Sequence, residues 1–330
     1  MNAEATFVNA AGFSSLFAFW IFAIASAFQS RLRALGAAGV HLLIFCFVCI
    51  SLSLLVRALG ADRFPVANLY ESLLFFSWGL LLAFVLLRNQ ISTLYLGCLT
   101  ALSVSLVFLY ASWLPPGLQE VRPLMPALVS FWRVIHVPPL IVSYAFFLIS
   151  GLVAILNFWS ARRRLTAICC LMALTLCVVS VFLGTLKLAS AQSINLLFWF
   201  GLTVSLVAIT LFFHMETKSP PVATELCEVT DAVCQKSITI AFPLLTFGII
   251  TGAFWANHAW GAYWTWDPKE SMSLATWLSY AAYLHLRARD DCRTDSLSLC
   301  AFLGLLLTIL TYLGFTFLGL GGLHTYGNLA

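Results

Sequence analysis

The sequence predicts an all-α protein, a polytopic bundle of transmembrane helices. Of its 330 residues, 62% are hydrophobic and only 9% are charged. This number of charged side chains is too small to cover the surface of a water-soluble globule of this size. Most of the outer surface must therefore face lipid. Apolar stretches of about 20 residues, the length that crosses a hydrocarbon core of about 30 Å, also recur along the chain. No alternating pattern of a membrane barrel appears, and no basic, aromatic-rich face for nucleic acid is present.

Ten apolar stretches predict about ten transmembrane helices. The first lacks the basic front and the cleavage site of a signal peptide, so we count it as a helix. The predicted spans are 13–28, 39–57, 69–87, 93–113, 134–159, 165–186, 195–213, 238–255, 270–287 and 297–319.

The distribution of Lys and Arg predicts the orientation, because positively charged loops stay on the side of synthesis. Eleven of these residues fall in one set of loops: Arg31, Arg33, Arg88, Arg162, Arg163, Arg164, Lys218, Lys236, Arg287, Arg289 and Arg293. The other set holds six: Arg57, Arg63, Arg122, Arg133, Lys187 and Lys269. We therefore expect both termini and the loops 114–133 and 256–269 on the outside, in a periplasm or an equivalent lumen.

The ten cysteines do not predict redox chemistry. Cys46 and Cys49 form a C-x-x-C in the middle of an apolar helix, but Ile50 follows in place of the His of a c-type haem attachment motif. None of the ten falls in a predicted outside loop. We interpret most of them as small apolar core residues.

The densest motif is WANHAWGAYWTWDPKE, residues 255–270, predicted as an outer loop between two helices. An interfacial aromatic belt would explain one or two of its rings. Five rings beside a small residue, Gly261, favour a platform for a large planar ligand, since indoles give wide apolar contact and an N–H for a polar edge. The rings are those of Trp255, Trp260, Tyr263, Trp264 and Trp266.

The same motif ends in a helix start. Asp267, Pro268 and Glu270 fit the N-cap, the first helical position and the third position of a capping box. Asp267 is counted with the site because this cap fixes where the aromatic loop joins the next helix. Glu71, at another predicted outside helix start, would complement the helix dipole in the simplest interpretation.

Two of the six histidines are predicted to reach the aromatic loop. His136 opens the fifth helix and His324 follows the tenth, both on the predicted outside face. Two imidazoles on opposite sides of a planar ligand would give axial coordination of a haem iron. The alternative for each is a histidine that is hydrogen-bonded at the membrane interface.

His285 lies about 15 residues into the ninth helix, or about 22 Å along its axis, and cannot share an iron with the other two. If it binds haem, it marks a second station near the inside face. The alternative is a histidine satisfied beside Arg287. His41 and His214 are assigned no role, and His258, within the aromatic loop, stays undecided between a ligand, a hydrogen-bond donor and neither.

These residues resemble the CcsA (ResC) family of cytochrome c biogenesis proteins, haem-handling membrane proteins with a tryptophan-rich WWD loop. The related CcmC and CcmF proteins share the loop, but the DPKES, NLYES and LHTYG segments favour CcsA, and the chain is too short for CcmF. The resemblance rests on FPVANLYES at 64–72, WRVIHVPPLIVSY at 132–144, WGAYWTWDPKE at 260–270, YLHLR at 283–287 and GLHTYG at 322–327.

The resemblance implies that haem b made inside crosses the membrane through the protein and is presented at the aromatic loop. By motif position, His136 and His324 correspond to the outer axial ligands and His285 to a membrane histidine. A CcsB (ResB) partner is expected to complete the membrane site and to dock the CxxCH segment of apocytochrome c. The chain would then be a subunit of holocytochrome c synthase, in a bacterial inner membrane or a thylakoid.

The resemblance also implies a division into a four-helix region, residues 1–133, and a haem-handling region, residues 134–330. Two features depart from the family pattern: the extra pair of helices at 165–213, beyond the usual eight, and His258, where the family has an acidic or small residue. Two other functions stay open at this point, a b-type electron-transfer protein and a CcmC-like haem delivery protein without synthase activity. A solute transporter is disfavoured because no inverted repeat is visible.

Overall fold

The computed structural model describes residues 3–27, 33–89, 93–160, 222–289, 294–314 and 323, and these ranges are helical apart from short connections. In chain order the helices are α1 (Ala3–Ala27), α2 (Arg33–Ala61), α3 (Leu69–Leu87), α4 (Thr93–Trp113), the short α5 (Pro116–Gln119), α6 (Phe131–Ser160), α7 (Val222–Trp260), α8 (Pro268–Arg287) and α9 (Thr294–Ile309). A 3₁₀ turn, Pro126–Leu128, precedes α6, and a π-helical turn, Leu310–Gly314, follows α9.

Seven of the described helices are long and apolar enough to cross a membrane: α1, α2, α3, α4, α6, α7 and α9. The chain is therefore a polytopic helical membrane protein, as the composition predicted. Helix α8 also forms where predicted, but it carries more polar side chains and is not among the seven. The two spans predicted at 165–186 and 195–213 lie outside the described residues.

The helices pack in two groups that α3 connects. Helix α1 packs against α2 and α4, whereas α6 packs along α7 and α9, and α8 packs against α9 and α7. Helix α3 contacts α2 and α4 on one side and α6 on the other. A continuous buried core runs through both groups.

Four of the six cysteines that the structure describes are consistent with the core role that we predicted for most of them. Cys46, Cys49, Cys98 and Cys234 are free thiols that are buried among apolar side chains. The Cys46 thiol donates to the Ala11 carbonyl at 3.3 Å, which satisfies it within the bundle.

A buried cluster of charges joins the helix ends around Glu71. This carboxylate is fully buried and accepts from Arg57 Nε at 3.0 Å, from Arg63 Nη1 at 2.8 Å and from the Ala67 N–H at 2.7 Å. Arg57 also donates to Glu4 in α1 at 2.6 Å. Glu71 therefore does more than complement a helix dipole, because it links the start of α1, the end of α2 and the start of α3.

Candidate functional site

Helix α7 extends further than the sequence predicted. The loop expected from residue 256 begins only at Gly261, so Trp255 and Trp260 lie on the last turns of α7. Gly261 adopts φ 80°, and its N–H donates to the Asn257 carbonyl at 3.0 Å. A glycine in this left-handed conformation ends a helix without a Cβ penalty, which explains the small residue without a ligand. We call residues 261–267 the tryptophan loop, and that end of the bundle the tryptophan end.

The capping box predicted at the start of α8 is confirmed. Asp267 accepts from the Lys269 N–H at 2.9 Å, while Glu270 accepts from the Thr265 N–H at 2.7 Å and the Asp267 N–H at 3.3 Å. The preceding Trp266 has φ 61°, a conformation that costs a non-glycine residue roughly 1–2 kcal/mol. Because Glu270 accepts from the N–H groups of the residues on both sides of Trp266, the capping box holds the loop in its sharp turn.

His136 is seated against α7 by two glycines. Its Nδ1 lies 2.7 Å from the Gly248 carbonyl oxygen, and a Cβ on Gly252 would overlap the imidazole. Gly248 and Gly252 form a G-x-x-x-G pair, the spacing that lets membrane helices approach closely. We missed this pair in the sequence, although its spacing is visible there.

The hydrogen bond to Gly248 also sets the tautomer of His136. A carbonyl oxygen only accepts, so Nδ1 carries the proton and donates. The lone pair of the neutral ring therefore lies on Nε2. Histidines that bind metals commonly have this arrangement, in which the second nitrogen is held by a backbone carbonyl.

A cavity of about 370 Å³ brings His136 together with the aromatic motif. Its walls come from α3, α6, α7, α8, the tryptophan loop and the π-helical turn, and His136, Trp255, Tyr263 and Trp264 are among its lining residues. The volume lies within the roughly 300–1,000 Å³ typical of ligand pockets. Residues that are more than 100 positions apart in the sequence therefore face one space.

The aromatic residues of the motif have different surroundings. Trp255 is buried, with its ring centroid 5.5 Å from that of His136, and Trp260 packs against Trp255 at 6.4 Å. Tyr263 and Trp266 are 55% and 70% exposed, and Trp264 contacts Trp266 edge-on at 5.9 Å. The motif thus brings Trp255, Tyr263 and Trp264 to the cavity, whereas Trp260, Trp266 and Gly261 of the predicted platform are not among its lining residues.

Residues 114–130, which we call the capping segment, cover the cavity and are held by side chains from the helices. The Trp255 indole N–H donates to the Ala127 carbonyl at 3.0 Å, and Arg133 Nε donates to the Leu128 carbonyl at 3.0 Å. Arg57 Nη2 donates to the Gln119 carbonyl at 2.6 Å. Trp255 therefore connects the capping segment directly to the histidine, a role that sequence reasoning did not find.

The second predicted outer ligand, His324, lies outside the described residues. Its neighbour Leu323 is described, and the Leu323 N–H donates to Asp267 Oδ2 at 2.7 Å. Asp267 thus caps α8 and also holds residue 323 at the tryptophan end, which the sequence did not predict.

The remaining described histidines lie elsewhere. His285 is exposed on the last turn of α8, near Arg287, which pairs with Asp231 and Gln235. His258 is exposed on α7, and His41 is exposed with its Nδ1 2.7 Å from the Ala37 carbonyl of its own helix. The structure therefore brings one described histidine, His136, to the cavity.

Comparison with known proteins identifies the family. A family model described as cytochrome C assembly protein matches residues 66–324. The chain is 36% identical over 285 residues to the cytochrome c biogenesis protein CcsA of Pyropia yezoensis, covering 86% of this chain and 85% of that protein. It is 34% identical over 325 residues to the CcsA of Synechocystis sp., covering 95% and 93% of the two chains.

The chain belongs to the cytochrome c assembly protein family. The match covers most of the chain, so it does not rest on the tryptophan motif alone. The segment that matches the family begins at Val66. It includes Glu71, His136, the Gly248 and Gly252 pair on α7 and the tryptophan loop. Membership in this family places the protein in cytochrome c biogenesis, as a haem-handling component.

Proposed function

We propose that this protein carries haem b across the membrane and presents it in the cavity at the tryptophan end for covalent attachment to apocytochrome c. The observation that carries the proposal is the seat of His136. Its Nδ1–H bond to Gly248 fixes the tautomer with the lone pair on Nε2, and the ring borders a cavity lined by Trp255, Tyr263 and Trp264. An imidazole held through Nδ1 beside aromatic faces suits an iron porphyrin.

In this proposal His136 and His324 are the axial ligands at the tryptophan end. The bond from the Leu323 N–H to Asp267 supports the assignment of His324, because it holds the adjoining residue at the start of α8. His285 would be a second haem station, at the opposite end of the same helix. Its exposure fits a site that a partner subunit completes.

The partner in this proposal is a CcsB-like (ResB-like) membrane protein, and together the two chains form a holocytochrome c synthase. The reduced CxxCH segment of apocytochrome c would supply two thiols. Each S–H adds across one haem vinyl group, so two thioether bonds form and both protons stay in the product. The residues of the cavity would hold the haem ring and its iron in position for this addition.

The proposed topology has about ten helices, with both termini and the tryptophan loop on the periplasmic or lumenal side. The charge distribution along the sequence supports it. Arg57 forms salt bridges with Glu4 and Glu71, and Arg63 forms one with Glu71. Two of the six cations assigned to that side are therefore neutralised by carboxylates. Residues 1–133 and 134–330 would be the two regions of the protein, in a bacterial inner membrane or a thylakoid.

The test is the His136→Ala variant with His41→Ala as its control. His41 is exposed, and its ring bonds only to its own helix among the described contacts, so removing it leaves the cavity unchanged. We expect His136→Ala to abolish haem-stained c-type cytochromes in cells and to change the optical spectrum of haem that co-purifies with the protein. His41→Ala should leave both unchanged.

Normal cytochrome levels in cells that carry His136→Ala would contradict the proposal. Haem that stays bound to the wild-type protein while cytochrome c matures would instead favour a permanent redox cofactor. The absorbance of the purified protein before and after incubation with reduced apocytochrome c separates these outcomes.

A further inference from the structure

The charged side chains that line the cavity are mostly cations. Among the residues that the structure describes, Arg63, Arg122, Arg133 and Lys269 line it, against one carboxylate, that of Glu270. A cavity with this balance favours a ligand that carries negative charge.

Glu270 is already engaged by its own helix start. Its Oε2 accepts from the Thr265 N–H at 2.7 Å, from the Thr265 hydroxyl at 3.2 Å and from the Asp267 N–H at 3.3 Å. These bonds hold the carboxylate in the capping box of α8. It is therefore poorly placed to compensate the cations of the cavity.

Arg63 forms a salt bridge, whereas Arg133 forms none among the described residues. Arg63 donates through Nη1 and Nη2 to the Glu71 carboxylate at 2.8 and 2.9 Å. Arg133 is only 4% exposed, and it donates to the carbonyl oxygens of Leu128 and Phe64. The positive charge of Arg63 disfavours the charged form of Arg133, and the more distant Glu71 carboxylate favours it without forming a salt bridge to it. A buried guanidinium of this kind keeps a strong attraction for an anion.

Lys269 is the second cation of this kind. The ammonium is partly buried at the cavity wall, and it makes no hydrogen bond or salt bridge with any residue that the structure describes. Burial lowers the pKa of Lys269, while the nearby Asp267 carboxylate opposes that change. An anion in the cavity would stabilise the charged form of Lys269.

We propose that Lys269 and Arg133 bind the carboxylate groups of the ligand in the cavity. The inference rests on the proposed function, because haem has two propionate carboxylates at one edge of an otherwise apolar ring. Charge-assisted hydrogen bonds to these carboxylates would fix how the porphyrin is rotated about the axis that runs through its iron, perpendicular to the ring. The direction of the vinyl edge, where the thioether bonds form, is then fixed as well.

The test compares two forms of one ring. The full-length protein in detergent is titrated with ferric haem and with ferric haem dimethyl ester, which lacks the carboxylate charges. We expect the wild type to bind haem about tenfold more tightly than the ester. Lys269→Gln should weaken haem binding about tenfold and leave ester binding within about twofold of the wild type, while Lys269→Arg should keep most of the preference.

Two further variants complete the experiment. Lys236→Gln removes an exposed ammonium on α7 and should change neither affinity. Arg133→Gln should also reduce the preference for haem over its ester. Because Arg133 also holds two backbone carbonyls, the thermal stability of that variant is measured beside its affinities.

Each outcome decides between the two proposals. Equal affinity of the wild type for haem and its ester, or an equal loss of both in Lys269→Gln, would overturn the role of these cations and leave the proposed function standing. Failure of the wild type to bind either compound would overturn both.

Discussion

Replacing Gly252 by alanine should displace His136 from its seat. The added Cβ would lie 2.6 Å from His136 Nδ1 and closer still to Cε1. Carbon and nitrogen atoms do not approach this closely without a shift of one of them. Either the imidazole turns away or α6 and α7 separate, and in both cases the bond from Nδ1 to the Gly248 carbonyl is weakened.

The expected loss of stability can be estimated from these two alternatives. Loss of the hydrogen bond alone costs about 1 kcal/mol. Separation of two closely packed helices by one methyl group costs about 1–3 kcal/mol. We therefore expect Gly252→Ala to lower the free energy of unfolding by about 1–3 kcal/mol and to impair the haem ligation that we propose for His136.

The assay combines thermal unfolding in detergent with the absorption spectrum of bound haem. Gly60→Ala is the matched control, because a Cβ at Gly60 in α2 would meet nothing within 4 Å. That variant should be neutral or slightly more stable, since alanine favours helix over glycine. A Gly252→Ala protein with wild-type stability and an unchanged haem spectrum would refute the seat that we assign to His136.

Three other changes test the contacts around the cavity. Glu71→Gln leaves the two guanidiniums that it holds poorly compensated, so we expect about 3–5 kcal/mol of destabilisation in thermal unfolding, whereas Glu120→Gln at an exposed position should be silent. Asp267→Asn keeps an N-cap residue but cannot accept with two carboxylate oxygens, so α8 should stay folded while the bond to Leu323 weakens and the haem spectrum changes. Trp255→Phe keeps a ring beside the histidine but loses its bond to the capping segment, which should cost about 1 kcal/mol and speed amide hydrogen exchange there.

The results that would contradict these expectations differ. Equal melting temperatures for Glu71→Gln and Glu120→Gln would show that the buried charges do not hold the helix ends together. A wild-type haem spectrum in Asp267→Asn would separate residue 323 from the ligand site. Unchanged exchange in Trp255→Phe would remove the assigned link between the capping segment and the histidine.

Local patterns allowed part of the site to be predicted from the sequence. The capping box at Asp267 depends on residues within one turn, and its side chains make the expected bonds. The end of α7 was predicted too early, because Trp255 and Trp260 are compatible with both an interfacial loop and a helix. Gly261, with its positive φ, ends that helix and was the available signal.

The sequence by itself determined that this is a helical membrane protein of the cytochrome c assembly family, because hydropathy and motif order can be read along the chain. Only the tertiary structure decided that His136 rests on the glycines of α7, that Trp255 holds the capping segment, and that Glu71 is shared by two arginines. These contacts join positions far apart in the sequence, 112 residues in the case of His136 and Gly248. Their partners are chosen by which helix faces pack together, and that packing depends on the shape of the whole bundle.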